Sequence, residues 1–212
     1  MHPCNILIGC DQTYYNDWGI NLILSIQRHN PFVQCHAHVV NPSNEFEKIK
    51  GVDYTFETKS FVNDTNRLGY LQAARFLAVA EKFNNTDLVM TLDADTICTR
   101  TFTGDDFTNV AKDVTVLRHL KDRRWLAGCV TFGTGNFKKE YSDKLKQLPV
   151  NEWEFGEDQK ILPTLEAKYQ YKEINGQWMS IGKNGRNSIF LTLKGNQKIK
   201  DKYLKIYKGY LK

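Results

Sequence analysis

The chain has no apolar run approaching the ~20 residues that a membrane-spanning helix needs. It also lacks Pro/Ser-rich linkers, low-complexity tracts and internal repeats. Its five cysteines (Cys4, Cys10, Cys35, Cys98, Cys129) are odd in number and form no CxxC pair. That pattern excludes a zinc ribbon and a dithiol redox motif, and it reads as reduced thiols buried in a cytoplasmic protein. The five histidines contain neither a helical HExxH nor a tight ligand cluster. His36 and His38 share a strand face but read as structural or surface residues. Met1-His2-Pro3-Cys4 runs straight into a strand-like segment, so no signal peptide is expected. The net charge of +5 is modest and is not interleaved with aromatics, so nucleic acid is not the expected partner. What remains is ordinary: 212 residues, 41% hydrophobic and 25% charged, a single domain able to bury its own core.

Residues 5–10 (NILIGC) are short, apolar and rich in branched side chains, which predicts a buried first strand. Asp17 is placed to cap a helix carrying Ile20, Ile23, Leu24 and Ile26 and ending near His29-Asn30-Pro31. Residues 34–40 alternate as a strand does, and Tyr54-Thr55-Phe56 predicts a third. Residues 70–83 (YLQAARFLAVAEKF) carry the strongest helical composition, stopped by Asn84-Asn85. A fourth strand follows at once. Further strands are expected at 114–117 and 127–132, then a loop to Pro149 and a helix over 157–168. Strands alternating with helices predict an α/β domain whose mainly parallel sheet is covered on both faces. Ligands of such sheets bind outside the carboxyl ends of the strands.

The fourth strand carries the most informative residues. Asp87-Leu88-Val89-Met90-Thr91-Leu92 runs apolar into Asp93-Ala94-Asp95. Two ionised groups at the mouth of a buried strand need compensation. Hard divalent cations take one or two carboxylates together with substrate phosphates, so Mn²⁺ or Mg²⁺ carrying a diphosphate is the expected occupant. In a pleated strand residues two apart share a face, which would let Asp93 and Asp95 address one ligand. Asp11, following the first strand, is expected on the same rim.

Taken together, Gly9-Cys10-Asp11-Gln12-Thr13-Tyr14, Ala74-Arg75-Phe76 and Asp93-Ala94-Asp95, in that order and spacing, resemble the GT-A-fold glycosyltransferases. The pattern is most similar to the glycogenin-like and lipopolysaccharide galactosyltransferase-like group, family 8. The resemblance runs from residue 5 to about 100 and returns in patches to 198. It implies a GT-A domain over 1–212, with a nucleotide-binding half to about residue 100 and an acceptor half beyond it. It implies a nucleotide-sugar donor, most simply a UDP-sugar, and a glycan, protein or lipid acceptor. Asp11 would accept from the pyrimidine ring and Tyr14 would stack on it. Arg75 would serve the diphosphate or pair with Asp93. Asp95 would ligate the cation directly, and Asp93 through water or the ribose.

In Trp153-Glu154-Phe155-Gly156-Glu157-Asp158-Gln159 the resemblance places Asp158 and Gln159 beside the donor sugar, and a similarity to inverting enzymes makes Asp158 the acceptor's base. The stereochemistry stays open between the two. Thr192-Leu193-Lys194-Gly195-Asn196-Gln197-Lys198 resembles the terminal histidine-x-x-glycine-x-x-lysine motif, with Lys198 near the diphosphate but Thr192 in the histidine's place. Leu126-Ala127-Gly128 departs in the same way from Asn-Ala-Gly, keeping Gly128 in the donor site.

The tail from Lys198 sets Ile199, Tyr203, Ile206, Tyr207 and Tyr210 on one helical stripe among lysines. Docking of that stripe on the domain itself is favoured over contact with an anionic membrane. Two other functions compete with a transferase. One is a catalytically silent sugar-nucleotide- or glycan-binding module. The other is a haloacid-dehalogenase-like phosphatase, in which Asp93 would be the nucleophile.

Overall fold

The computed structural model describes residues 3–119, 122–149, 152–181, 187–192 and 205. A seven-stranded sheet forms the centre. Its strands are β1 (Asn5–Asp11), β2 (Gln34–Val40), β3 (Val52–Glu57), β4 (Val89–Leu92), β6 (Thr115–Arg118), β7 (Trp125–Thr131) and β8 (Lys172–Glu173), in the order β3-β2-β1-β4-β7-β6-β8. The pairs β1–β2, β2–β3, β1–β4 and β6–β8 are parallel, and β7 runs antiparallel to both its neighbours. A smaller sheet pairs β5 (Thr96–Cys98) with β10 (Phe190–Thr192) and β10 with β9 (Met179–Ile181). The architecture is therefore α/β with a mainly parallel central sheet, as the sequence predicts.

Strands buried on both faces explain the apolar runs. Ile6, Ile8 and Cys10 of β1 face one core layer with α2 (Ile20–His29) and α4 (Gly104–Ala111), while Leu7 faces the other. That second layer is built from α3 (Asp64–Lys82), α5 (Phe137–Lys146) and α6 (Glu157–Tyr169). All five cysteines are buried and unpaired. No helix among the described residues is long and apolar enough to cross a membrane.

Four helices differ from expectation, each for a local reason. Asp17 caps nothing. Helical backbone begins at α1 (Gln12–Tyr14), where the Asp11 carboxylate accepts the Tyr14 N–H, and continues through a π-helical turn (Tyr15–Gly19) into α2. Helix α3 starts six residues before the expected Tyr70, because Asn63 accepts the Asn66 N–H and Asp64 suits the positive end of the helix. The stretch read as loop before Pro149 holds α5, which presents Phe137, Tyr141 and Leu145 to the core at fourfold spacing. Helix α4, closed by a Thr103–Asp106 capping box, was not anticipated at all.

The chain leaves β1 toward β2 on one side and returns to β4 on the other. The carboxyl ends of β1 and β4 thus flank a topological switch point, where open α/β sheets bind their ligands. Helix α3 lies close over this point. A Cβ on Gly9 would stand 2.5 Å from the Arg75 backbone nitrogen, so only glycine admits the helix at that height. Gly9→Ala is expected to lower stability by about 1–3 kcal/mol through overpacking, read as a reduced urea midpoint at unchanged slope.

His36 is buried in β2, with Nε2 3.1 Å from Asn5 Oδ1 and Nδ1 3.4 Å from Asp53. Burial, aided by Lys82, pushes its pKa down to about 4. The folded state therefore refuses a proton that the unfolded chain takes near pH 6.5. The contribution is complete above that pH and is lost as pH falls toward 4, up to about 3 kcal/mol. Urea unfolding at pH 7.5 and 4.5 should show a smaller difference in His36→Gln than in the wild type.

Candidate active site

At the switch point the site is organised around Arg75, in the middle of α3 and 4% exposed. Its Nη2 stands 2.8 Å from Asp93 Oδ1 and 3.7 Å from Asp158 Oδ2, and donates to the Ala127 carbonyl at 2.9 Å. Nη1 donates to the Gln72 carbonyl at 2.9 Å, and the guanidinium lies 4.5 Å from the Phe76 ring centre. One cation thus joins the end of β4, the middle of β7 and the first turn of α6. The geometry suits a planar fork and would not suit an ammonium group.

Asp93 and Asp95 do not share a pleated strand, which corrects the expectation for this pair. Strand β4 ends at Leu92, and Asp93–Thr96 closes a turn in which the Thr96 N–H donates to the Asp93 carbonyl at 3.1 Å. The turn serves the same end by another route. Asp93 goes to Arg75, and the Asp95 Oδ2 accepts the Tyr14 hydroxyl at 2.9 Å. The Asp93 N–H donates to the Gly128 carbonyl at 3.0 Å. A Cβ on Gly128 would stand 2.8 Å from Asp93 Oδ2, so the glycine keeps that oxygen's surroundings open.

Asp11 ends β1. Its Oδ1 accepts the Tyr14 N–H at 2.8 Å, and its Oδ2 lies 3.0 Å from Arg67 Nη1. Asp158 is 2% exposed, in the first turn of α6, and its Oδ1 accepts the Gln159 N–H at 2.9 Å. Gln72 ties α3 to the loop before α6, accepting the Gly156 N–H at 2.8 Å. Burial, reinforced by the negative charge of Asp95, holds the Tyr14 hydroxyl well above its ordinary pKa, so it stays protonated and donates. Burial likewise raises the Cys10 and Cys129 thiols far above theirs, which leaves both as neutral packing groups.

By formal charge, four carboxylates (Asp11, Asp93, Asp95, Asp158) face two guanidiniums (Arg67, Arg75). The residual negative charge, an all-oxygen donor pair and the space at Gly128 fit a hard divalent cation. Among the described residues no third His, Cys, Asp or Glu joins them.

Of the residues singled out from sequence, Asp11, Tyr14, Arg75, Asp93, Asp95, Gly128, Asp158 and Gln159 gather on this rim. Gln159 does so through its backbone contact with Asp158. Lys198 and the tail stripe lie outside the described residues. Thr192 lies opposite Thr96 in the β5–β10 pair, and among the described residues its buried hydroxyl has no hydrogen-bond partner. Arg67 and Gln72 were missed. Arg67 falls about two turns before Arg75 on the same helix, in the first turns of α3 that the helical composition after Tyr70 does not reveal.

Arg75→Ala leaves the buried Asp158 and its neighbour Asp93 without their cation. The expected cost is about 3–5 kcal/mol in urea unfolding, far above that of an exposed arginine.

No protein-family model matches this chain, and no curated protein matches it in sequence. Solved structures do match it. The apo form of glycosyltransferase GlyE from Streptococcus pneumoniae TIGR4 superposes with a TM-score of 0.67 at 13% identity, over 97% of this chain. This chain spans only 60% of GlyE. The galactosyltransferase LgtC, in complex with donor and acceptor sugar analogs, gives 0.66 at 13% identity over 97% of this chain and 95% of its own. An active-site mutant of LgtC gives 0.66 at 12% identity with the same coverage. At such identities the likeness speaks to architecture, and it is the GT-A fold of the LgtC-like glycosyltransferases that this chain adopts.

Proposed function

We propose that the protein is a glycosyltransferase that moves a sugar from a nucleotide-diphosphate donor, a UDP-sugar, to an acceptor hydroxyl, with Mn²⁺ or Mg²⁺ bound. The observation that carries this reading is the gathering of Asp93 and Asp158 around Arg75 at the switch point of a GT-A fold, with Asp95, in the turn after β4, held by the Tyr14 hydroxyl. Asp95 and the Oδ2 of Asp93 would hold the cation, which when bound supplies positive charge for a departing diphosphate. Asp11 and the Tyr14 ring would take the base, and Arg67 lies at the same rim for the phosphates. Asp158 and Gln159 would serve the sugar side. The 2.8 Å ion pair with Arg75 disfavours a phosphatase reading, because the guanidinium draws charge from the carboxylate that would have to attack.

One observation favours a second reading. The donor set among the described residues stops at two carboxylates, with Thr192 in the place where the resemblance puts a histidine. A module that binds sugar nucleotides without transferring the sugar would tolerate that.

UDP should raise the melting temperature, and Mn²⁺ should raise it further, since a ligand bound only to the native state stabilises it by mass action. Asp95→Asn should erase the Mn²⁺ increment and cut UDP-sugar turnover by at least ~100-fold, the rate equivalent of several kcal/mol of lost charge stabilisation. Turnover that is equal in wild type and variant, and indifferent to EDTA, overturns the metal-dependent transferase. UDP binding with no turnover across donors and acceptors selects the binding module.

A further inference from the structure

Tyr14 touches both ends of the candidate donor site. Its backbone N–H donates to Asp11 Oδ1 at 2.8 Å, at the tip of β1. Its hydroxyl donates to Asp95 Oδ2 at 2.9 Å, in the turn after β4. The residue sits in the single turn α1, whose capping acid is Asp11 itself, so displacing either acid displaces the tyrosine. Its ring stands 6.4 Å from that of Trp18, tilted by 48°, and both pack with Ile97 and Leu191 of the small sheet. A side chain fixed by its backbone at one end and by an apolar contact along its length can hold its hydroxyl, and what that touches, in one orientation.

We propose that Tyr14 is a positioning residue for the cation: its hydroxyl holds one oxygen of Asp95 so that the other faces the metal, and its backbone ties that orientation to the base subsite at Asp11. The inference rests on the nucleotide-sugar reading of the site and adds to it a role for the hydroxyl distinct from any stacking of the ring. Carboxylates that ligate metals are themselves hydrogen-bonded, and removing such a partner costs typically 10–100-fold in metal affinity. The arrangement also gives one residue contact with both acids, through its backbone at Asp11 and through its hydroxyl at Asp95.

Tyr14→Phe separates the two roles, since it keeps the aromatic face and removes only the oxygen. The experiment titrates Mn²⁺ into wild type, Tyr14→Phe and Asp95→Asn in the presence of UDP, following free Mn²⁺ by electron paramagnetic resonance. Uridine, which has no phosphate to meet a cation, is titrated separately by calorimetry. The expected result is a loss of ~10–100-fold in Mn²⁺ affinity for Tyr14→Phe with an unchanged uridine dissociation constant. Tyr14→Ala should weaken both. Equal Mn²⁺ affinity in wild type and Tyr14→Phe, with Asp95→Asn impaired, overturns the positioning role and leaves the metal reading standing. Loss of uridine affinity in Tyr14→Phe in proportion to the Mn²⁺ loss overturns it as well, because the substitution then disturbs the rim as a whole. Wild type that retains no Mn²⁺ with UDP removes the cation reading and this inference with it. Matching thermal unfolding of wild type and Tyr14→Phe confirms that a folded variant is compared.

Discussion

A guanidinium buried between two carboxylates is the constraint around which the rest of the molecule is arranged. Arg75 could not sit at the centre of α3 without acids to neutralise it, and Asp158 could not be almost wholly buried without a cation nearby. Each group makes the others tolerable. The cost of removing them from water is offset only because the fork also reaches two backbone carbonyls, those of Ala127 and Gln72. Such an assembly contributes little net stability compared with an apolar core of the same volume. Its effect is on position: β4, β7, α3 and α6 are brought to one point by a single side chain.

That point is set by topology as much as by charge. Strand order places β1 between β2 and β4, so the crevice opens where the chain changes direction. Close packing then fixes the distances. Gly9 lets α3 settle onto β1, and Gly128 leaves space beside Asp93. The two glycines act on the same residue pair from opposite sides, one beneath Arg75 and the other beside its partner.

Much of this was legible in the chain itself. The apolar run before Asp93 marks a buried strand, and Asp93 and Asp95 stand just past its carboxyl end. The order of Asp11, Arg75 and that acidic pair reveals the architecture, although no family model recognises the sequence. What could not be read depended on contacts between distant residues. Asn63 works as a cap only through its bond to Asn66, and the rich composition after Tyr70 drew the helix start away from it. The fourfold spacing of Phe137, Tyr141 and Leu145 was visible, but the five charged residues between them obscured it. The turn after Leu92 was invisible, because nothing in Asp-Ala-Asp-Thr distinguishes a continuing strand from a reversal. Arg67 escaped because its partner, Asp11, lies 56 residues away.

The small sheet has a consequence for how the protein comes into being. Strand β5 begins at the residue after Asp95, and its partner is β10, almost a hundred residues later. On a ribosome, the acidic turn would therefore emerge long before the strand that clamps it. Everything up to α6 can collapse around Arg75 while β5 still lacks its partner strand. Assembly of the small sheet is thus deferred until β10 has been made, and a chain clipped ahead of Phe190 keeps most of its core but leaves the strand after the acidic turn without its pairing partner.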